Sequence, residues 1–177
     1  SNLKIKNKSI KFLTNEYKKP FLKNDKNFHF NLSHAGNWIV CVTDQNPVGI
    51  DIERIRDIDL KLAQRFFSKQ ESDVLLKKEE AKKIDFFFTL WTLKESYIKA
   101  IGKGLYISLS SFSIEINNDD KICVYQDKKL VKNIKFKMYD IDPDYKLSVC
   151  ANSNEFPGSI LIKEVDEIIK YLNCYDK

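Results

Sequence analysis

The feature that most constrains this chain is the segment from about Glu79 to Ile101, where Ile84, Phe88, Trp91, Ile98 and Ile101 recur at helical spacing and Gly102 follows as a stop. One long helix is therefore expected in the middle of the chain. Strand-like segments with an apolar period of two lie on either side of this helical middle.

Before the helix, Phe28, Phe30 and Leu32 alternate with His29, Asn31 and Ser33, and this reads as a half-buried strand. Trp38 to Thr43 forms the next strand across a turn at Ala35-Gly36-Asn37, and Val48, Ile50 and Ile52 alternate with Gly49, Asp51 and Glu53 in a third. Residues 1 to 26 are polar, with strand pieces near Ile10 to Leu13 and a break at Pro20. Past Asp57 the period becomes helical at Leu60, Ala63, Phe66 and Phe67, and Ser68 with Glu71 makes a capping box for a further short helix. Beyond the long helix, strands are expected at Phe112 to Ile116, Ile122 to Tyr125, Ile134 to Tyr139 and Lys146 to Cys150, with a hairpin turn at Asn117 to Asp120. A last helix near Val165 to Leu172 carries Val165, Ile168, Ile169 and Leu172 on one face. The fold class is α+β.

At 177 residues and 43% hydrophobic the chain has enough apolar material for one ordinary domain or two very small ones. The longest apolar run is four or five residues, too short to span a bilayer, and no leader pattern opens the sequence, which reads as soluble and cytoplasmic. Cys41, Cys123, Cys150 and Cys174 are scattered without a C-x-x-C pair and read as reduced, buried thiols. The net charge of +5 is local: residues 1 to 26 hold eight lysines against Glu16 and Asp25, so this stretch carries +6 and the remainder −1. Such a patch is a solvated surface or an attractor for phosphates and acidic proteins, and its modest excess with little arginine argues against nucleic acid.

Three groups of residues carry chemistry. A strand places Asp51 and Glu53 on one face, roughly 6 to 7 Å apart, either as a solvated outer face or as two ligands of one cation. Glu95 lies four residues after Trp91 and three before Ile98, on the apolar stripe. A carboxylate there either pairs with Lys99 one turn on or needs a cation. Lys94 and Lys99 flank it, and an acid between two fixed positive charges suits phosphoryl transfer. Ser33 and His34 present a hydroxyl and an imidazole toward an anion, with no nucleophile elbow beside them. Three carboxylates without a Cys or His cluster favour Mg²⁺ over zinc. Gly102-Lys103-Gly104 either stops the helix or lets backbone amides approach a ligand.

The pieces occur in a fixed order: Phe30-Asn31-Leu32-Ser33-His34, then Gly49-Ile50-Asp51-Ile52-Glu53, then Phe66-Phe67-Ser68, then Trp91-Thr92-Leu93-Lys94-Glu95-Ser96-Tyr97-Ile98-Lys99-Ala100 with Gly102-Lys103-Gly104-Leu105. This order resembles the Sfp-type 4'-phosphopantetheinyl transferases, or holo-carrier-protein synthases, of nonribosomal peptide and polyketide synthesis, over about Glu16 to Pro157. The resemblance implies two pseudo-symmetric α+β halves with coenzyme A in the cleft between them. The N-terminal half is here shortened to residues 1–48, with residues 49–177 as the C-terminal half. It implies that Asp51, Glu53 and Glu95 hold Mg²⁺ against the pyrophosphate of coenzyme A, and that Glu95 or a metal-bound water takes the proton of the carrier serine. Lys99 would steady the pyrophosphate with Lys94 as helper, and Ser33, His34 and Lys19 would contact phosphate or nucleotide. The implied partner is an acyl or peptidyl carrier protein and the by-product 3',5'-ADP.

A shortened N-terminal half would leave Phe12, Phe28, Phe30, Trp38 and Val40 uncovered, to be buried in a dimer or by an associated N-terminal fragment. Two other functions fit the same residues: a metal-dependent phosphotransferase or phosphohydrolase acting without a carrier protein, and a binding module that docks a carrier without catalysis.

Overall fold

The structure is a computed structural model that describes residues 9–117, 119, 121–153 and 155–174. The turn expected at Asn117 to Asp120 and the side chain of Cys174 lie partly outside the described residues.

Ten strands and four helices follow in chain order among the described residues. They are β1 (Phe12–Thr14), β2 (Pro20–Leu22), β3 (His29–Ala35), β4 (Trp38–Asp44) and β5 (Val48–Arg54), then α1 (Leu62–Phe66), α2 (Lys69–Lys77) and α3 (Glu80–Ile101). After α3 come two 3-10 turns, β6 (Phe112–Ile116), β7 (Ile122–Gln126), β8 (Lys129–Leu130), β9 (Lys135–Tyr139), β10 (Tyr145–Ala151) and α4 (Val165–Cys174). The α+β class is as expected, and no helix among the described residues is long and apolar enough to cross a membrane.

The organising layer is the antiparallel sheet β5-β10-β9, with Asp51 opposite Ser148 and Glu53 opposite Lys146. Its side-chain period sends Gly49, Asp51 and Glu53 toward α3 and Val48, Ile50 and Ile52 into a second core with Val40, Tyr145 and Leu147. On the α3 side Phe67, Phe87, Phe88, Leu93 and Tyr97 form the larger core. Helix and strand approach very closely at Gly49. A Cβ there would stand 2.1 Å from the Ser96 carbonyl oxygen and 2.4 Å from the Ala100 nitrogen. Only hydrogen fits, and this contact sets the distance between the carboxylates of β5 and the side chains of α3.

The strand β3 shows how local polarity can mislead. It was expected to be half-buried, and Phe30 is buried, but so is Asn31 at 7% exposure, while Leu32 stands 50% exposed. The cause is the edge of β5: Asn31 Oδ1 accepts the Ile50 N–H at 2.9 Å and Ser33 Oγ accepts the Ile52 N–H at 3.4 Å. Two polar side chains thus satisfy backbone donors that a neighbouring strand would otherwise take. Of the five residues expected to lie uncovered, Phe30 and Val40 are buried, Phe28 and Trp38 are half-buried, and only Phe12 is exposed, whereas Ile39 on the outer face is 80% exposed. Phe12 and Phe30 meet edge to face at 5.4 Å, so the β1-β2 hairpin itself covers Phe30.

Local signals fixed the helix ends as expected. Ser68 and Glu71 form both halves of the capping box of α2, and Gly102 takes the left-handed conformation at φ 76° after α3. The single apolar stripe expected on α3 is corrected: the helix is buried on most sides, with Leu90, Thr92, Leu93 and Lys94 at 1% exposure or less and Ile101 at 38%. Sheet, α2 and β6 all pack against it. The apolar face of α4 forms as expected but is uncovered, with Val165 68% and Leu172 54% exposed.

Candidate active site

The carboxylate of Asp51 is almost fully buried at the centre of the β5–α3 interface. Its Oδ1 accepts from Lys99 Nζ at 2.6 Å and from Ser33 Oγ at 2.9 Å, and Lys99 Nζ also donates to Ser33 Oγ at 2.9 Å. Its other oxygen, Oδ2, is buried without a hydrogen-bond partner. A bare buried carboxylate oxygen is costly and marks a place where a donor or cation belongs.

Glu53 and Glu95 share this environment. Burial pushes the Asp51 carboxyl up, against the pull of Lys99 and Ser33. Glu53 is raised by burial and then by the charge of Asp51, opposed by Arg56, Lys99 and a hydrogen bond from Trp91. Glu95 is pushed up to about 7, by burial first and by Asp51 and Glu53, against Lys99 alone. Three acids thus share Lys99, and Arg56 acts on Glu53 besides. The remaining negative charge has to be met by a proton or by a cation.

Lys99 therefore pairs with Asp51 and not with Glu95 one turn before it, so the intrahelical alternative is not what forms. Among the described residues no three His, Cys, Asp or Glu side chains already stand in a metal-holding arrangement. The site nevertheless fits a hard divalent ion on three observations: the orphan Asp51 oxygen, the proton affinity of Glu95, and an all-oxygen donor set.

Lys94 is corrected. Its side chain is wholly buried away from Asp51, with Nζ on Glu71 Oε1 at 2.6 Å, Glu71 Oε2 at 2.7 Å and the Phe112 carbonyl at 2.7 Å. Glu71 in turn accepts the N–H groups of Ser68 and Ile114. The pair joins α2, α3 and β6 and presents nothing to a substrate. Successive helix residues diverge by about 100°, so Lys94 and Glu95 cannot face one ligand together.

The Lys19 side chain is turned onto the backbone. The Lys19 ammonium donates to three backbone carbonyls, of Lys99 at 2.6 Å and of Val48 and Ala100 at 3.1 Å, which uses all of its N–H groups. Ser33 and His34 are neighbours on a strand and point to opposite faces. Ser33 belongs to the Asp51 cluster, whereas His34 is exposed and lines an open cleft of about 480 Å³ with Gly36, Glu53, Arg54 and Arg56. The two arginines went unnoticed in the sequence, where Glu53-Arg54-Ile55-Arg56 continues the alternation that had already picked out Asp51 and Glu53. Trp91 was read only as apolar, yet besides stacking on Phe87 at 5.8 Å it pulls the Glu53 carboxyl down. A second cleft of about 220 Å³, beside Lys19, is walled by Pro20, Phe21, Phe28, His29 and Phe30.

Residues 47–150, which take in β5, α3 and all but the last residue of β10, match the family model described as the 4'-phosphopantetheinyl transferase superfamily. Over 160 residues the chain is 41% identical to the 4'-phosphopantetheinyl transferase Sfp of Bacillus subtilis, covering 90% of this chain and 71% of that protein. This chain belongs to the 4'-phosphopantetheinyl transferase superfamily. Within the superfamily it is also 45% identical over 149 residues to the 4'-phosphopantetheinyl transferase gsp of Aneurinibacillus migulanus, covering 84% of this chain and 61% of that one. A solved holo-[acyl-carrier-protein] synthase of Thermotoga maritima overlaps 59% of this chain and 61% of its own at 22% identity and a TM-score of 0.49. Every polar residue of the Asp51 cluster except Ser33 lies inside the segment that matches the superfamily.

Proposed function

We propose that this transferase moves the 4'-phosphopantetheine group of coenzyme A to a serine of an acyl or peptidyl carrier protein, in the cytoplasm and in the service of nonribosomal peptide or polyketide synthesis. Membership of the superfamily sets the class of reaction. The observation that carries the assignment of roles is Glu95, a half-buried carboxylate with a proton affinity near pH 7 beside Asp51, Glu53 and Lys99. A carboxylate at this point is placed to take the proton of an attacking serine hydroxyl.

Asp51, Glu53 and Glu95 would hold Mg²⁺. When bound, the ion supplies a Lewis acid that draws charge from the pyrophosphate oxygens. Glu95 accepts the proton of the carrier serine as its oxygen forms the new bond to the β-phosphorus of coenzyme A. The bond from that phosphorus to the bridging oxygen breaks, and the electron pair leaves on 3',5'-ADP. Lys99 turns its ammonium from Asp51 toward the pyrophosphate, held in reach by Ser33. The basic wall of His34, Arg54 and Arg56 and the aromatic cleft of Phe28, His29 and Phe30 offer places for phosphate and base of the nucleotide. In this reading residues 1–48 furnish part of the nucleotide wall and residues 49–177 the metal and the base.

The test is to incubate the chain with coenzyme A, Mg²⁺ and an apo carrier protein and to weigh the carrier by mass spectrometry. One phosphopantetheine added at the carrier serine supports the reading. Cleavage of coenzyme A without a modified carrier would favour the carrier-independent phosphotransferase, and carrier binding without any cleavage would favour the docking module.

A further inference from the structure

Residues 15–19 make a tight turn that closes on the far end of α3. Asn15 Oδ1 accepts the N–H groups of Tyr17 at 2.9 Å and Lys19 at 2.8 Å, while its Nδ2 donates to the Gly102 carbonyl at 3.0 Å. Lys18 takes φ 66° to complete the turn. From there the Lys19 side chain crosses Gly102 so closely that a Cβ on that glycine would stand 2.7 Å from Lys19 Cδ. Its ammonium then meets the carbonyls of Lys99, Ala100 and Val48.

The last carbonyls of a helix have no partners within it, and a cation there also meets the negative end of the helix dipole. Val48, however, is the first residue of β5. One ammonium therefore ties the end of α3, which carries Lys99, to the start of β5, which carries Asp51 and Glu53. The backbone atom it grips most closely, the Lys99 carbonyl at 2.6 Å, belongs to the residue whose side chain reaches Asp51.

We propose that Lys19 is a positioning residue of the transfer reaction: its ammonium locks the last turn of α3 to β5, so that the backbone of Lys99 is fixed with its side chain in reach of Asp51 and Ser33. The inference rests on the function proposed above and gives Lys19 a role other than contact with phosphate. The lock needs the proton, because three carbonyls face three N–H groups, and the neutral amine would turn a lone pair on one of them. Burial lowers Lys19 to about 8, with Cys150 of β10 acting weakly in the other direction. The other titratable groups around it are Cys150, whose thiol burial pushes up, and His29 of β3, which burial and Lys19 itself hold down. The Lys99 ammonium is turned toward Asp51.

Lys19→Met and Lys19→Arg in the full chain test the lock, assayed with coenzyme A, Mg²⁺ and apo carrier and followed by hydrogen exchange at the amides of Ala100 and Gly102. Lys19→Met is expected to lower kcat about tenfold, the scale of one lost charged hydrogen-bonding tether, with KM for coenzyme A within about twofold. Exchange at both amides should quicken. The wild type should lose kcat above about pH 8, a limb absent in Lys19→Met and moved to higher pH in Lys19→Arg. A raised KM for coenzyme A at unchanged kcat would make Lys19 a ligand contact and overturn the proposal, as would unchanged kcat and exchange together. If Lys19→Met does not fold, Asn15→Ala decides by the same two readouts: slower turnover with faster exchange supports the lock, and no change in either overturns it. A wild type that transfers nothing would sink the proposed function and the positioning role with it, while exchange would still report the tether itself.

Discussion

Lys99 donates to one oxygen of Asp51 at 2.6 Å while the other oxygen of the same buried carboxylate meets no donor at all. That asymmetry defines the site, because the half of Asp51 without a partner is the half with acceptor capacity left for a cation, and Glu53 and Glu95 raise the charge around it.

Glu95→Gln is expected to lower transfer at least a hundredfold, the usual scale for loss of a positioned general base. The fold should hold or gain stability, since an acid raised from an ordinary 4.5 to about 7 is there against its own preference for charge. Between those values the folded chain keeps a proton that the unfolded chain has released, so metal-free stability should fall as pH rises through about 4.5 to 7. Thermal melting across that window checks both points: the slope should shrink in Glu95→Gln, leaving the part due to Asp51 and Glu53, and shrink in the wild type when Mg²⁺ is added. A variant that fails to fold would make Glu95 structural.

Gly49→Ala should cost about 3 kcal/mol or more, because a Cβ would stand 2.1 Å from a carbonyl oxygen of α3 that cannot rotate aside. Denaturant unfolding measures this. Transfer should fall as well, since α3 can only move away from Asp51. Wild-type stability in Gly49→Ala would mean that the interface yields more easily than its packing implies.

Lys94→Met should destabilise by about 3 to 5 kcal/mol, because it leaves the buried Glu71 carboxylate without its counter-charge. Divalent-ion affinity of the folded fraction should match the wild type, as Lys94 lies away from the cluster. The opposite pattern, full stability with lost turnover, would restore Lys94 to the reaction.

Association with the carrier protein should weaken with salt. The chain carries a net charge of +5, and attraction between opposite charges is screened over about 8 to 10 Å at physiological ionic strength. A carrier KM that rises from low to high salt is expected. A flat profile would contradict an acidic docking partner.

The sequence displayed what neighbours along the chain decide. Ser68 and Glu71 stand three residues apart and their capping box forms, the alternation from Val48 to Glu53 orients Asp51 correctly, and Gly102 ends α3. It hid what distant partners decide. Lys94 is paired with a residue 23 positions away, and Lys19 with carbonyls 80 and 81 positions away, so both looked like free cations for a phosphate. Asn31 and Ser33 read as the wet side of a strand because nothing local reveals that the edge of β5 lacks a neighbour on that side.

The central claim is that Asp51, Glu53 and Glu95 share one divalent ion, and titration of the apo protein with Mn²⁺, followed by electron paramagnetic resonance, tests it most directly. The account predicts one ion bound per chain, with affinity reduced at least about tenfold in each of Asp51→Asn, Glu53→Gln and Glu95→Gln, the scale of a lost charged ligand. Three variants that bind Mn²⁺ as the wild type does would contradict it.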